Sequence, residues 1–116
     1  MNSCRVGHLA ESVARFVLLL KGYRLVARNY VTGRGTAAGE VDLIVRRGRT
    51  LVFVEVKKRR TFETAAYAVG PNQQRRIRRA AESFVARHPR YDGCDIRFDA
   101  FLLWPPCFFV HLKRVF

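Results

Sequence analysis

Four side chains in the middle of the chain have the types and the spacing to do chemistry. Glu40 and Asp42 open one β-rich run, Glu55 and Lys57 close the next, and Arg47-Gly48-Arg49-Thr50 lies between the two runs. A two-residue loop with Gly first suits a type II′ hairpin turn, which pairs residue 47 with residue 50. That register sets Asp42 opposite Glu55 and Glu40 opposite Lys57. Residues that face each other across a ladder, and residues two apart along a strand, project from the same face. Glu40, Asp42, Glu55 and Lys57 therefore share one face.

Two facing carboxylates repel, with Cβ atoms roughly 4.5–5.5 Å apart. They are close enough to share one hard cation, and oxygen ligands without His or Cys favour Mg²⁺ or Mn²⁺. Such an ion beside a lysine suits phosphodiester hydrolysis: it polarises a phosphoryl oxygen and acidifies a water, and Lys57 offsets developing charge. The competing reading is a solvated hairpin face carrying a cross-strand ion pair. Ile44, Leu51 and Phe53 fall on the same face, which argues that it is half buried.

The chain has 116 residues, with 22 Lys+Arg against 9 Asp+Glu and a net charge of +13. Only four of the basic residues are lysines. With 49% hydrophobic residues this is no disordered basic tail, and the length suits a single domain over residues 1–116. So basic a domain fits a polyanion, DNA or RNA, with an anionic membrane as competitor. Guanidinium groups bind phosphate through paired hydrogen bonds, and DNA is expected over RNA. Cys4, Cys94 and Cys107 form neither a disulfide framework nor a zinc knuckle and fit a cytoplasmic location. The apolar stretches 16–20 and 100–110 are too short to span a bilayer, and Glu11 and Arg15 interrupt any signal-peptide core. No membrane partner is expected.

The elements that must position the four residues follow from periodicity. Residues 8–21 read as a helix whose core stripe is Leu9, Val13, Phe16, Val17 and Leu20, with Gly22 as its stop. A second stripe of that helix, Gly7, Glu11, Ala14 and Leu18, holds an acid among small and apolar neighbours. Residues 23–31, 40–46 and 50–57 read as strands. Residues 58–70 are less regular, and 71–88 read as a helix opened by Pro71 and closed by Pro89, with Ile77, Ala80, Ala81, Phe84 and Val85 inward. Residues 95–104 and 108–113 are two further strands. Short links make the first three strands an antiparallel meander, and the second helix returns the fourth strand parallel, with right-handed sense.

Asp42 followed by Glu55-Val56-Lys57 resembles the D…(E/D)-x-K signature of restriction-endonuclease-like nucleases. More narrowly, the chain resembles the YraN-like family, predicted endonucleases with a Holliday-junction-resolvase-like fold. The matching pieces are Gly7…Glu11…Ala14, Gly22-Tyr23 leading to Arg28-Asn29-Tyr30, and Gly39-Glu40-Val41-Asp42-Leu43-Ile44. Val52-Phe53-Val54-Glu55-Val56-Lys57 with Arg59, Arg75-Arg76-Ile77…Ala80-Ala81 and Arg97-Phe98-Asp99 complete them. The resemblance implies an α/β fold with an αβββαβ core and a mixed sheet flanked by helices. It implies Asp42 and Glu55 as ligands of Mg²⁺ or Mn²⁺, Lys57 as the catalytic lysine, Glu11 as a helix-borne acid near the metal, and Glu40 as a nearby acid. Similar proteins carry Lys where this chain has Gln73, and Gly where it has Glu63. Gln73, on the inward stripe, would bond phosphate or water without the charge.

Arg75, Arg76, Arg78 and Arg79 crowd the start of the second helix, where positive charge is unfavourable without anions. Arg75, Arg76 and Arg79 with Lys58, Arg59 and Arg60 are candidate phosphate contacts; a solvated basic face is the competing reading. His8, His88 and His111 lack metal-ligand spacing and read as surface or core-edge residues, and Asp99 and Trp104 read as structural. The expectation is a Mg²⁺-dependent endonuclease-like protein acting on DNA, branched DNA included. The alternatives are a catalytically silent nucleic-acid-binding module on the same scaffold and a basic protein that docks on another protein or an RNA-rich assembly. A junction-cutting enzyme would need two sites and hence a homodimer, for which residues 100–110 offer an apolar surface.

Overall fold

The two-residue loop decides the centre of the sheet. In the computed structural model Gly48 has φ +61°, the left-handed value that the first central position of a type II′ turn requires. The flanking strands, β2 (Gly39–Arg47) and β3 (Thr50–Lys58), pair antiparallel from Arg47 opposite Thr50 to Leu43 opposite Val54, in the expected register. The structure describes residues 3–33, 38–61, 69–106 and 108–116, with side chains from Leu9 onward. The readings placed on Cys4, Gly7, His8, Glu63 and Cys107 lie outside those side chains.

Before the hairpin comes α1 (Ser3–Leu20), which begins five residues earlier than its periodicity suggests. Gly22, at φ +94°, ends it, and the Tyr23 N–H closes on the Leu18 carbonyl at 2.9 Å. β1 (Arg24–Thr32) then pairs antiparallel with β2, with a register shift between Leu25 and Ala27. After the hairpin, α2 (Pro71–Arg87) and a short 3₁₀ turn (Pro89–Tyr91) carry the chain back across the sheet. β4 (Asp95–Trp104) can then run parallel to β3, as a crossover helix dictates. β5 (Phe108–Leu112) adds antiparallel to β4, completing the order β1-β2-β3-β4-β5. The result is an α/β fold with a mixed five-stranded sheet between two helices: the αβββαβ core, extended by one strand.

Each helix covers one face. Against α1 lie Leu43, Val45, Val52, Val54 and Phe101, with Tyr23. Against α2 lie Val41, Ile44, Leu51 and Phe53, met by Ile77, Ala80, Ala81 and Phe84. The stripe expected to bury α1 is corrected by the structure. Leu9, Phe16 and Leu20 are 60%, 63% and 72% exposed, whereas Ala10, Ala14 and Leu18 are buried. The small residues let the helix axis come close to the sheet, and the larger ones then fall at its rim. The inward stripe of α2 holds as read, with Val85 half-buried. The tightest approach is at Gly39, where a Cβ would sit 2.6 Å from the Ala80 backbone nitrogen; only glycine admits α2 at this distance.

The described residues of the stretch 100–110 divide between core and surface. Ala100, Phe101 and Leu102 are buried within the chain's own core, and Phe108 and Phe109 are the large apolar side chains there that remain exposed. Among the described residues no helix is long and apolar enough to cross a membrane.

Candidate active site

The candidate site forms where β2 and β3 part. In their register, hydrogen-bonded pairs recur every second residue, so the Val56 N–H should next reach the backbone of Val41. It donates instead to Asp42 Oδ2, at 2.7 Å. The alternation of β2 breaks at the same place. Val41 and Ile44 both pack towards α2, while Leu43 and Val45 pack towards α1; a regular strand would set Val41 with Leu43. Asp42 sits in this irregularity and takes over a hydrogen bond of the sheet with its side chain.

Glu55 lies one residue before Val56 and shares its face with Phe53. It is only 5% exposed. Lys57 Nζ lies 3.4 Å from Glu55 Oε1. Burial pushes the Glu55 carboxyl up to about 8, helped by its hydrogen bond to Asp42 and by the Asp42 charge, and the Lys57 ammonium offsets part of the rise. At neutral pH Glu55 therefore keeps its proton. Asp42, Glu55 and Lys57 are thus brought together.

The other expected members are placed differently. Glu40 pairs across the sheet with Val31 of β1, and its carboxylate lies 3.2 Å from Arg76 of α2. The lysine expected opposite it has gone to Glu55. Glu11 is half-buried on α1, and among the described residues it has no ion pair or hydrogen bond. Its turn of helix reaches the site end of the sheet, because Leu9, Ala10 and Val13 line a cavity of about 270 Å³ with Lys58 and Leu103. Gln73 is half-buried one turn before Ile77. Lys58 and Arg60 are exposed just beyond the acids, and the Arg59 guanidinium donates to the Lys58 carbonyl. Arg75 bonds Asn72, Arg76 holds Glu40, and Arg79 is exposed on the same helix. Among the described residues no three His, Cys, Asp or Glu side chains form a metal cage; the donor set is the Asp42–Glu55 pair.

A second polar cluster lies on the α1 side. Asp99 is buried and accepts from Arg97 Nε and a terminal guanidinium nitrogen, each at 2.8 Å, from His111 Nε2 at 2.7 Å and from the Arg114 N–H at 3.1 Å. Burial alone would raise the Asp99 carboxyl; the bonds from His111, Arg97 and Arg114 outweigh it and hold the group below the ordinary carboxylate range. Arg97 also donates to the Tyr23 hydroxyl at 2.6 Å. Asp99 is structural, as read, but His111 is neither a surface nor a core-edge residue: its side chain is almost wholly buried. The alternation of Arg97 and Asp99 along one strand made their pairing legible. Nothing local connected His111 or Tyr23 to them.

A sequence-family model described as "Uncharacterised protein family UPF0102" matches residues 10–103. A UPF0102 protein of Paramagnetospirillum magneticum is 48% identical over 101 residues, 87% of this chain and 78% of its own. One of Methylorubrum extorquens is 46% identical over 110 residues, 95% and 83% of the two chains. One of Parvibaculum lavamentivorans is 50% identical over 101 residues, 87% and 73%.

Proposed function

The chain belongs to the UPF0102 family, and we propose that it is a divalent-metal-dependent phosphodiesterase acting on the backbone of DNA, branched DNA included. The observation that carries this reading is half-buried Asp42 against buried Glu55, with Lys57 3.4 Å from Glu55, set where two strands part in a chain of net charge +13.

Two adjoining carboxyl groups fit a hard cation that takes one or two protein carboxylates and keeps most of its waters, Mg²⁺ first and Mn²⁺ second. Asp42 and Glu55 would hold it. When bound, the ion supplies a Lewis acid for the phosphoryl oxygen and lowers the pKa of a water. The chain's own residues do the rest. Glu55 would lose its proton to solvent on binding the ion, and the Val56 N–H keeps Asp42 aimed. Lys57 directs an N–H towards the phosphoryl group and offsets its developing charge. Lys58 ends the same strand and Arg59 and Arg60 follow it, where they grip flanking phosphates without reading bases. Glu11, on the α1 turn that reaches this end, is the third acid of the proposal, and Gln73 supplies an uncharged donor.

Cleavage of labelled branched and linear DNA in Mg²⁺ or Mn²⁺ tests the reading. Activity is expected in the wild type and lost in Asp42→Ala with binding retained. Identical cleavage by the two proteins would sink it. The capture of Glu40 by Arg76 favours a second reading, a nucleic-acid-binding module without turnover. That module would bind DNA with strong salt dependence and show no Mn²⁺-linked rise in Tm; a rise abolished by Glu55→Ala counts against it.

A further inference from the structure

The acid pair occupies one end of the sheet, and a separate concentration of positive charge occupies the other. Lys21 follows the last turn of α1, Arg24 opens β1, and Arg46, Arg47 and Arg49 surround the hairpin tip. Arg24 and Arg46 face each other directly across β1 and β2, a like-charge pairing that weakens a sheet unless something neutralises it. Among the described residues no carboxylate forms an ion pair with any of the five. All but Arg46 are exposed.

The buried cluster beneath this end holds two of these cations in place. Asp99 fixes His111 through Nε2, and the Lys21 ammonium donates to His111 Nδ1 at 3.0 Å. Arg97, fixed by the same carboxylate, holds the Tyr23 hydroxyl. The Arg47 guanidinium lies over the Tyr23 ring, 4.4 Å from its centroid, and donates to the Lys21 carbonyl at 3.2 Å. Lys21 has further N–H donors not used in these contacts, and so does Arg47. Cations set in position with donors to spare suit a phosphate-bearing partner.

Asp42 and Arg47 lie five residues apart on β2, which at roughly 3.3 Å per residue separates the acid pair from the hairpin tip by about 17 Å. That exceeds the screening length of about 10 Å in 0.1 M salt, so the two ends attract anions independently. With α1 and α2 covering both faces, the ends point away from each other, and a straight duplex lying across one end leaves the other open. We propose that the Lys21/Arg24/Arg46/Arg47/Arg49 end is a second nucleic-acid backbone site, so that one chain holds two separate segments, one at each end of the sheet. The inference rests on the reading of the acid end as a DNA site.

The test is capture of a second duplex. A short duplex is fixed to beads, the protein is bound to it in EDTA, and a dye-labelled duplex is added. Wild type is expected to retain the labelled duplex. Arg24→Glu/Arg49→Glu is expected to bind the bead duplex, keep its Tm, and retain at least tenfold less of the second duplex, with the salt exponent of that capture smaller by about two. Capture by the double variant equal to wild type overturns the proposal, and that is also what bridging by a dimer with one site per chain would give. So does a wild type that retains no second duplex, or a double variant that loses anionic vesicles while still capturing DNA. The assay is run without metal, so cleavage plays no part in capture. Failure of the cleavage reading and failure of the second site are therefore told apart.

Discussion

Replacing Glu55 by glutamine gives the sharpest test of the acid pair, because it keeps the shape and removes the ionisation. Glu55 carries a folded value of about 8 against an ordinary 4.5, chiefly through burial. The folded protein therefore holds a proton that the unfolded chain releases. The stability linked to this group is whole below pH 4.5 and is lost progressively as pH rises to about 8. At the usual free energy of a tenfold change per pH unit, the loss by pH 8 is on the order of 5 kcal/mol. Glu55→Gln never ionises and does not suffer it. At pH 5 the two proteins should agree within about 1 kcal/mol, since glutamine and a protonated glutamate both present a neutral polar group. At pH 9 the variant should be the more stable by several kcal/mol, a Tm difference of roughly 10 °C or more for a chain of this size. Urea unfolding in EDTA, repeated from pH 5 to pH 9, measures the difference directly. Adding Mn²⁺ at pH 9 should raise the Tm of the wild type and leave Glu55→Gln nearly unmoved. Parallel pH–stability curves for the two proteins would refute the reasoning, because they would mean that Glu55 ionises as freely in the fold as in the unfolded chain.

Two further outcomes follow from the packing. Asp99→Asn should cost about 3–5 kcal/mol at pH 7, since it strips the counter-charge from buried Arg97. Because the Asp99 carboxyl sits below its ordinary value of 3.8, its contribution is whole above that pH and lost as pH falls further. The gap between wild type and variant in chemical denaturation should therefore close below about pH 4. Gly39→Ala places a methyl 2.6 Å from the Ala80 nitrogen and 3.0 Å from the Arg79 carbonyl carbon; pushing α2 outward should cost about 1–3 kcal/mol, read as a lowered Tm.

What was legible in the sequence divides along the range of the forces involved. The hairpin register rests on a turn that only a few residue types make, so Gly48 with Arg49 announced it, and with it the approach of Asp42 to Glu55. The parallel return of β4 follows from the helix between two strands. The buried side of α1 was not legible from size. Phe16 and Leu20 carry more apolar surface than Ala10 and Ala14, but how near a helix comes to a sheet is decided by both partners, and here small residues were needed. Glu40 was drawn from Lys57 to Arg76 by the docking of α2, which no local pattern encodes. Tyr23 and Arg97 are 74 residues apart, and their meeting became visible only once β1 and β4 had been placed in one sheet.

The hydrogen bond from Val56 to Asp42 has a consequence for how such a site changes over generations. Its donor belongs to the main chain, and every amino acid except proline carries that group. Residue 56 can thus drift among side chains that suit its half-buried place on the strand, and the carboxylate next to it keeps its aim. A scan of side chains by alanine would leave this donor in place. One of the groups that sets the candidate centre is written in the geometry of two parting strands, and no letter of the sequence stands for it.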